Sequence, residues 1–194
     1  MFHKTTKPFV IFFVFLFFEN IYTDDLRVNQ NVISRVMADE IIAVKQKNDQ
    51  GVDGVKVIFS VEASKNDVWK TITDYNNFYD IFGDLKLKLI QEDDKGAMVQ
   101  ASLLIFNYIL YHDYSIPGEK LIWSRKSGDL KTVTGSWSII TTGNKEIQII
   151  VYESYIDAGN SIFNAMAHAN SVNRGKDTAK KLKKYLKTKY PLKK

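Results

Sequence analysis

Val61-Glu62-Ala63-Ser64-Lys65-Asn66-Asp67-Val68-Trp69, running on to Asp74-Tyr75-Asn76-Asn77-Phe78-Tyr79-Asp80-Ile81-Phe82, is where the chain turns from strand to helix. Upstream of it, Val55, Val57, Phe59 and Val61 fall on alternate positions, the period of a strand with one buried face. Ser64 and Asp67, three residues apart, form a capping box that opens a helix. Val68, Ile72, Tyr75, Tyr79 and Phe82 then recur at helical spacing as far as Gly83.

Further along come Trp123-Ser124-Arg125-Lys126-Ser127-Gly128-Asp129, then Gly135-Ser136-Trp137-Ser138-Ile139-Ile140, read as a turn into a strand, and an apolar strand from Ile147 to Ile156. Taken with the first stretch, these segments resemble the START-like polyketide cyclase/dehydrase and coenzyme Q-binding superfamily over about residues 40 to 187. The matching elements are Trp69, Asp74, Tyr75 and Phe78 in the helical segment and the Gly-Ser-Trp triplet. Val68 stands one place closer to Trp69 than in the family pattern, and Asp80 and Ile81 occupy the place of its usual proline. The resemblance implies an α+β helix-grip fold: a curved antiparallel β-sheet around a long C-terminal α-helix, with two short helices after the early strands. It also implies an apolar ligand, without specifying which.

The remaining elements follow from periodicity and turn chemistry. Ile41 to Lys47 and Val52 to Val61 read as strands joined by Asn48-Asp49-Gln50-Gly51. Leu85 to Gln91 precedes the turn Glu92 to Gly96, and a long apolar strand runs from Ala97 to about Tyr108, with more strand from Ile109 to Ile116. Leu121 to Lys126, Lys131 to Thr141 and Glu146 to Ile156 complete an antiparallel meander. A long helix is expected from about Asn160 to Lys187, since Ile162, Ala165, Ala169, Val172, Gly175, Ala179, Leu182 and Leu186 make one stripe that must lie on the concave face of the sheet. The expected organisation is a signal peptide over 1–23, a polar lead-in over 24–39 with a weak apolar pattern at Val28, Val32, Val36 and Met37, the helix-grip domain over 40–187, and a basic tail over 188–194.

Met1 to Lys7 is basic and Pro8 to Phe18 apolar, the form of a secretory signal, too short for the roughly 20 apolar residues of a membrane span. Glu19 to Thr23 lack the small residues of a usual cleavage site, which leaves an uncleaved anchor open. Export to a periplasm or the cell exterior is the expectation. The chain has no cysteine, so it must stand on core packing without disulfides, and 194 residues suffice for that. From Asp24 to Asn173 acidic residues outnumber basic ones by five, whereas from Arg174 to Lys194 basic residues exceed acidic ones by nine. That asymmetry suits contact with an anionic membrane surface, or simply a solvated helix face. Nucleic acid is not an expected partner of an exported protein.

Large rings on the meander strands facing small residues on the helix either enclose an apolar cavity or fill a tight core; the family resemblance favours the cavity. Its expected wall is Phe106, Tyr108, Trp123, Arg125, Trp137, Tyr152 and Glu153 on the strands, with Ala165, Met166 and Ala169 on the helix. Glu153 shares a strand face with Ile147, Ile149 and Val151, so it is either desolvated in the cavity or exposed and paired with Arg125 or Lys126. His112 and His168 stand apart with no metal-ligand spacing, each read as a packed or solvent-facing residue; no metal, cofactor or catalytic residue is expected. Two functions fit: a carrier for a hydrophobic small molecule such as a lipid, quinone or polyketide, or a cyclase/dehydrase-type enzyme in which Tyr108, Arg125, Glu153 and His168 move protons. The absence of a catalytic cluster favours the carrier.

Overall fold

Eight antiparallel strands form a single sheet in the order β1-β2-β8-β7-β6-β5-β4-β3, so the chain's first hairpin is carried to one edge and its middle to the other. The computed structural model describes residues 28–83 and 85–191; the expected export segment over 1–23 lies outside them. The elements are α1 (Gln30–Met37), β1 (Ile42–Lys47), β2 (Asp53–Glu62), α2 (Lys65–Ile72), α3 (Phe78–Phe82), β3 (Lys86–Glu92), β4 (Gly96–Leu103), β5 (Phe106–Ile116), β6 (Lys120–Gly128), β7 (Thr132–Thr141), β8 (Ile147–Asp157), α4 (Ser161–Ala169) and α5 (Ser171–Lys189). Among the described residues no helix is long and apolar enough to cross a membrane.

Ser64 caps α2: its Oγ accepts from the Asp67 amide at 3.2 Å and donates to Asp67 Oδ2 at 2.6 Å, whereas in a full capping box the Asp67 carboxylate would accept from the Ser64 amide. The chain leaves helical geometry between α2 and α3, which resets the helical phase. Phe78, Ile81 and Phe82 are therefore buried, while Tyr79 faces solvent.

The main core lies between α5 and the concave face of the sheet. Val55, Val57, Phe59 and Val61 of β2 point inward, and Gly175, Ala179, Leu182 and Leu186 of α5 come down on them. A methyl group at Gly175 would stand 2.7 Å from Val57, so glycine is what lets the helix approach β2 this closely. Leu182 and Leu186 are fully buried, each stabilising the fold by about 1.5–3 kcal/mol.

Three expectations change. The polar lead-in contains α1, capped by the Asn29 side chain, and Val32 and Val36 bury on the convex face against Ile42, Ile58, Ile149 and Val151. The expected run of strand from Ala97 to Ile116 is a hairpin whose two-residue turn is Leu104-Ile105, both exposed, with Leu104 at φ 54°. A left-handed leucine is strained, and nothing in its residue type announces a turn. The expected long C-terminal helix breaks at Asn170, whose φ of −113° and ψ of 13° end α4 before α5 begins.

Candidate functional site

Where α5 packs on β2 the concave face is filled by side chains; toward α4 it opens into a cavity of about 160 Å³. Its inner wall is aromatic. Trp137 and Tyr152 pack with ring centroids 4.4 Å apart, Trp123 stacks beyond Tyr152 at 6.0 Å, and Phe82 of α3 lies 6.0 Å from Trp137. Gly135 makes this possible: a Cβ there would meet the Trp123 ring at 2.2 Å. The Gly-Ser-Trp triplet is thus not a turn into a strand but the middle of β7, where the glycine leaves room for the tryptophan opposite it.

Leu110, Val133 and Ile156 extend the apolar wall, and Ala167 and His168 of α4 with Ser171, Arg174, Gly175 and Thr178 of α5 complete it. Arg174 is exposed and marks the mouth, whereas His112, Trp123 and Trp137 are buried at the floor. Burial pushes the phenols of Tyr108 and Tyr152 up, and the Arg174 charge partly opposes this for both.

His112 on β5 lies at the floor, the residue as a whole only 5% exposed. Its Nδ1 is 3.1 Å from the Tyr75 hydroxyl, Tyr75 is 2.7 Å from the Tyr114 hydroxyl, and Tyr114 donates to Glu92 Oε1 at 2.8 Å. Nε2 is buried with no hydrogen-bond partner. Burial depresses the imidazole from its ordinary 6.5 to about 3, so the ring is neutral at physiological pH. Burial likewise raises the phenols of Tyr75 and Tyr114, keeping both protonated.

The helix α4 covers one side of the cavity without packing down. It is tethered at its start, where Asn164 donates to Asp157 at 2.9 Å and accepts from the Ala158 amide at 2.7 Å, and it ends at the Asn170 break. The Asp157 carboxyl, held by Asn164, the Gly159 amide and Lys131, falls to about 2. Ile162 and Met166 of α4 are 68% and 64% exposed, and Leu104 and Ile105 at the hairpin tip are more exposed still.

Four of the ten expected wall residues, Tyr108, Trp123, Trp137 and Tyr152, line the cavity. Phe106 stands beside it, edge-on to Phe163 of α4 at 5.3 Å, joining the hairpin to that helix. Arg125 is turned away to donate to the Gly128 carbonyl at 2.6 Å. Glu153 lies on the convex face, since the cavity takes the other alternation of β8, Tyr152, Ser154 and Ile156. There it pairs with Lys56 at 3.1 Å, not with Arg125 or Lys126, and accepts from Gln46 and Ser136. Ala165, Met166 and Ala169 face solvent, because the break at Asn170 separates their stripe from that of α5; Ala167 and His168 face the cavity instead. Sequence reasoning missed His112 as a floor residue. Its alternation with Tyr108, Leu110 and Tyr114 on one face of β5 was the available signal.

No family model and no curated protein matches the sequence. Solved structures do. A STAR-related lipid transfer protein from Xanthomonas axonopodis superimposes with TM-score 0.64 at 15% identity, over 76% of this chain and 93% of that one. The chain has the START-like helix-grip fold. A START superfamily protein from Mycobacterium smegmatis gives TM-score 0.61 at 12% identity, covering 70% and 97% of the two chains. An aromatase/cyclase from a Streptomyces species gives 0.57 at 13% identity, covering 78% and 98%. A lipid transfer protein and an aromatase/cyclase thus share this fold, and the fold does not choose between their functions.

Proposed function

We propose that this helix-grip protein binds an apolar small molecule in the cavity beneath α4 and carries it, without transforming it. The observation that supports this most is the contrast in the roof: an aromatic wall of Trp123, Trp137 and Tyr152 is faced by a helix that leaves open space above it. An engineered apolar cavity of roughly 150 Å³ takes up benzene, so this one accommodates a ring or a short acyl segment, with the rest of a longer ligand leaving through the mouth. Ile162 and Met166 on α4 and the Leu104-Ile105 tip offer an apolar threshold next to cavity residues Ala167 and Leu103. Of the four residues that would move protons in an enzyme, Arg125 and Glu153 are engaged outside the cavity and only Tyr108 and His168 line it, which favours carriage over chemistry.

The basic and then apolar N-terminal segment supports export; a carrier working in a periplasm or outside the cell would meet anionic headgroups with its Lys-rich α5 and tail. The test of binding is uptake of an apolar fluorescent probe by wild type and by Ala167→Phe. A phenylalanine at Ala167 projects into open space, so the variant should lose uptake and keep its melting temperature. The same ring at solvent-facing Ala169 should change neither. If Ala167→Phe is instead destabilised by about 1–3 kcal/mol and wild type takes up no probe, the space is a packed core and the binding reading falls.

A further inference from the structure

The hydrogen-bond chain from Glu92 to His112 has only one consistent arrangement of protons. Each tyrosine hydroxyl has one proton to give, and a carboxylate can only accept. Tyr114 gives its proton to Glu92. The contact between Tyr75 and Tyr114 then requires Tyr75 to be the donor. With that proton committed, the Tyr75 oxygen must accept from His112, so the imidazole carries its proton on Nδ1. A neutral ring with a protonated Nδ1 presents a bare lone pair at Nε2. That nitrogen belongs to a residue lining the cavity and is buried without a partner.

We propose that the ligand is an apolar molecule bearing one hydroxyl, and that this hydroxyl enters first and donates to His112 Nε2 at the cavity floor. The inference rests on the binding function proposed above and adds the chemistry of the ligand to it. A phenol, a sterol-like alcohol or a hydroxylated polyketide ring meets the requirement, whereas the corresponding hydrocarbon or ether leaves the lone pair unsatisfied. The depressed pKa of His112 agrees, since a ring that does not become charged remains an acceptor over the whole physiological range. Tyr75 and Tyr114 are positioning residues: they touch the ligand only through the tautomer they impose. Glu92, exposed at the far end, anchors the chain from the surface.

The experiment compares the affinities of naphthol, methoxynaphthalene and naphthalene for the full chain by fluorescence titration. Wild type should bind naphthol roughly tenfold more tightly than the ether, the scale of one neutral hydrogen bond made to an otherwise unsatisfied buried acceptor. In Tyr114→Phe the ring against Trp69 is kept but the link to Glu92 is cut, which frees Tyr75 to donate to Nδ1 and turns Nε2 into a donor. The preference for the alcohol should then vanish. Histidine nitrogen shifts measured by NMR on isotope-labelled wild type read the tautomer without any variant: Nδ1 should be protonated, and the Nε2 signal should move when naphthol is added. A protonated Nε2 in the unliganded protein overturns the proposal. Equal wild-type affinity for alcohol and ether overturns it too, while leaving the cavity-binding function standing. Failure of all three probes to bind removes that function and this inference with it.

Discussion

Two consecutive helices, α4 and α5, carry apolar residues at the same helical spacing and have opposite fates. On α5 the stripe Gly175, Ala179, Leu182 and Leu186 is buried on β2; on α4, Ile162, Ala165 and Ala169 of the expected stripe face solvent. The difference is in what lies beneath. β2 offers Val55, Val57 and Phe59, which a helix without a side chain at Gly175 can reach, whereas below α4 the rings of Trp123, Trp137 and Tyr152 stand off from the small Ala167. Periodicity identifies a face that needs covering, but only the opposite surface decides whether the cover is protein or ligand.

That contrast can be broken most sharply at Leu182, which is fully buried on α5. Leu182→Ala should destabilise the fold by about 2–5 kcal/mol through lost burial and the cavity left behind, read from the denaturant midpoint. Met166→Ser on α4 should change stability by no more than about 0.5 kcal/mol, as substitutions of exposed side chains usually do. Comparable losses at the two positions would mean that α4 is packed in solution as α5 is.

The burial of the cavity floor is read through pH. His112 meets Tyr75 and Trp123, with Tyr114 and Glu92 further along its hydrogen-bond chain. Its folded-state pKa, about 3, lies below the unfolded value of about 6.5, so the unfolded chain binds a proton first as the pH drops. The stability that His112 contributes is therefore complete above about pH 6.5 and declines on acidification until the folded pKa is reached, with a slope approaching about 1.4 kcal/mol per pH unit. Unfolding of wild type against His112→Gln over that interval should show the slope in wild type and a flatter profile in the variant. Parallel profiles would mean that burial does not hold the imidazole neutral in the folded protein.

Much of the architecture was legible because strand alternation and turn residues report on backbone pairing directly. The Ser64–Asp67 cap, the hairpin through Asn48 to Gly51 and the inward face of β2 could all be read in this way. What could not be read depended on partners distant in sequence. Alternation correctly put Glu153 with Ile149 and Val151, yet only the convex position of α1 shows that this face packs away from the cavity. The Leu104-Ile105 turn carries no glycine, proline or asparagine to mark it, and its apolar residues extended the strand pattern across the hairpin. Trp123 and Gly135 lie on neighbouring strands, and the role of the glycine exists only in that pairing. His112 had the bland reading of a packed residue, because the hydroxyls that fix its tautomer come from Tyr75 and from Tyr114 with Glu92 behind it.

Carriage of an apolar guest requires the space between the aromatic wall and α4 to be open. A crystal structure determined under xenon pressure shows whether it is, because xenon occupies apolar cavities without any hydrogen-bond requirement. Xenon bound among Trp123, Trp137, Tyr152 and Ala167 is the predicted result. Side chains filling that volume, with no xenon in it, would mean that the core is packed there and holds no guest.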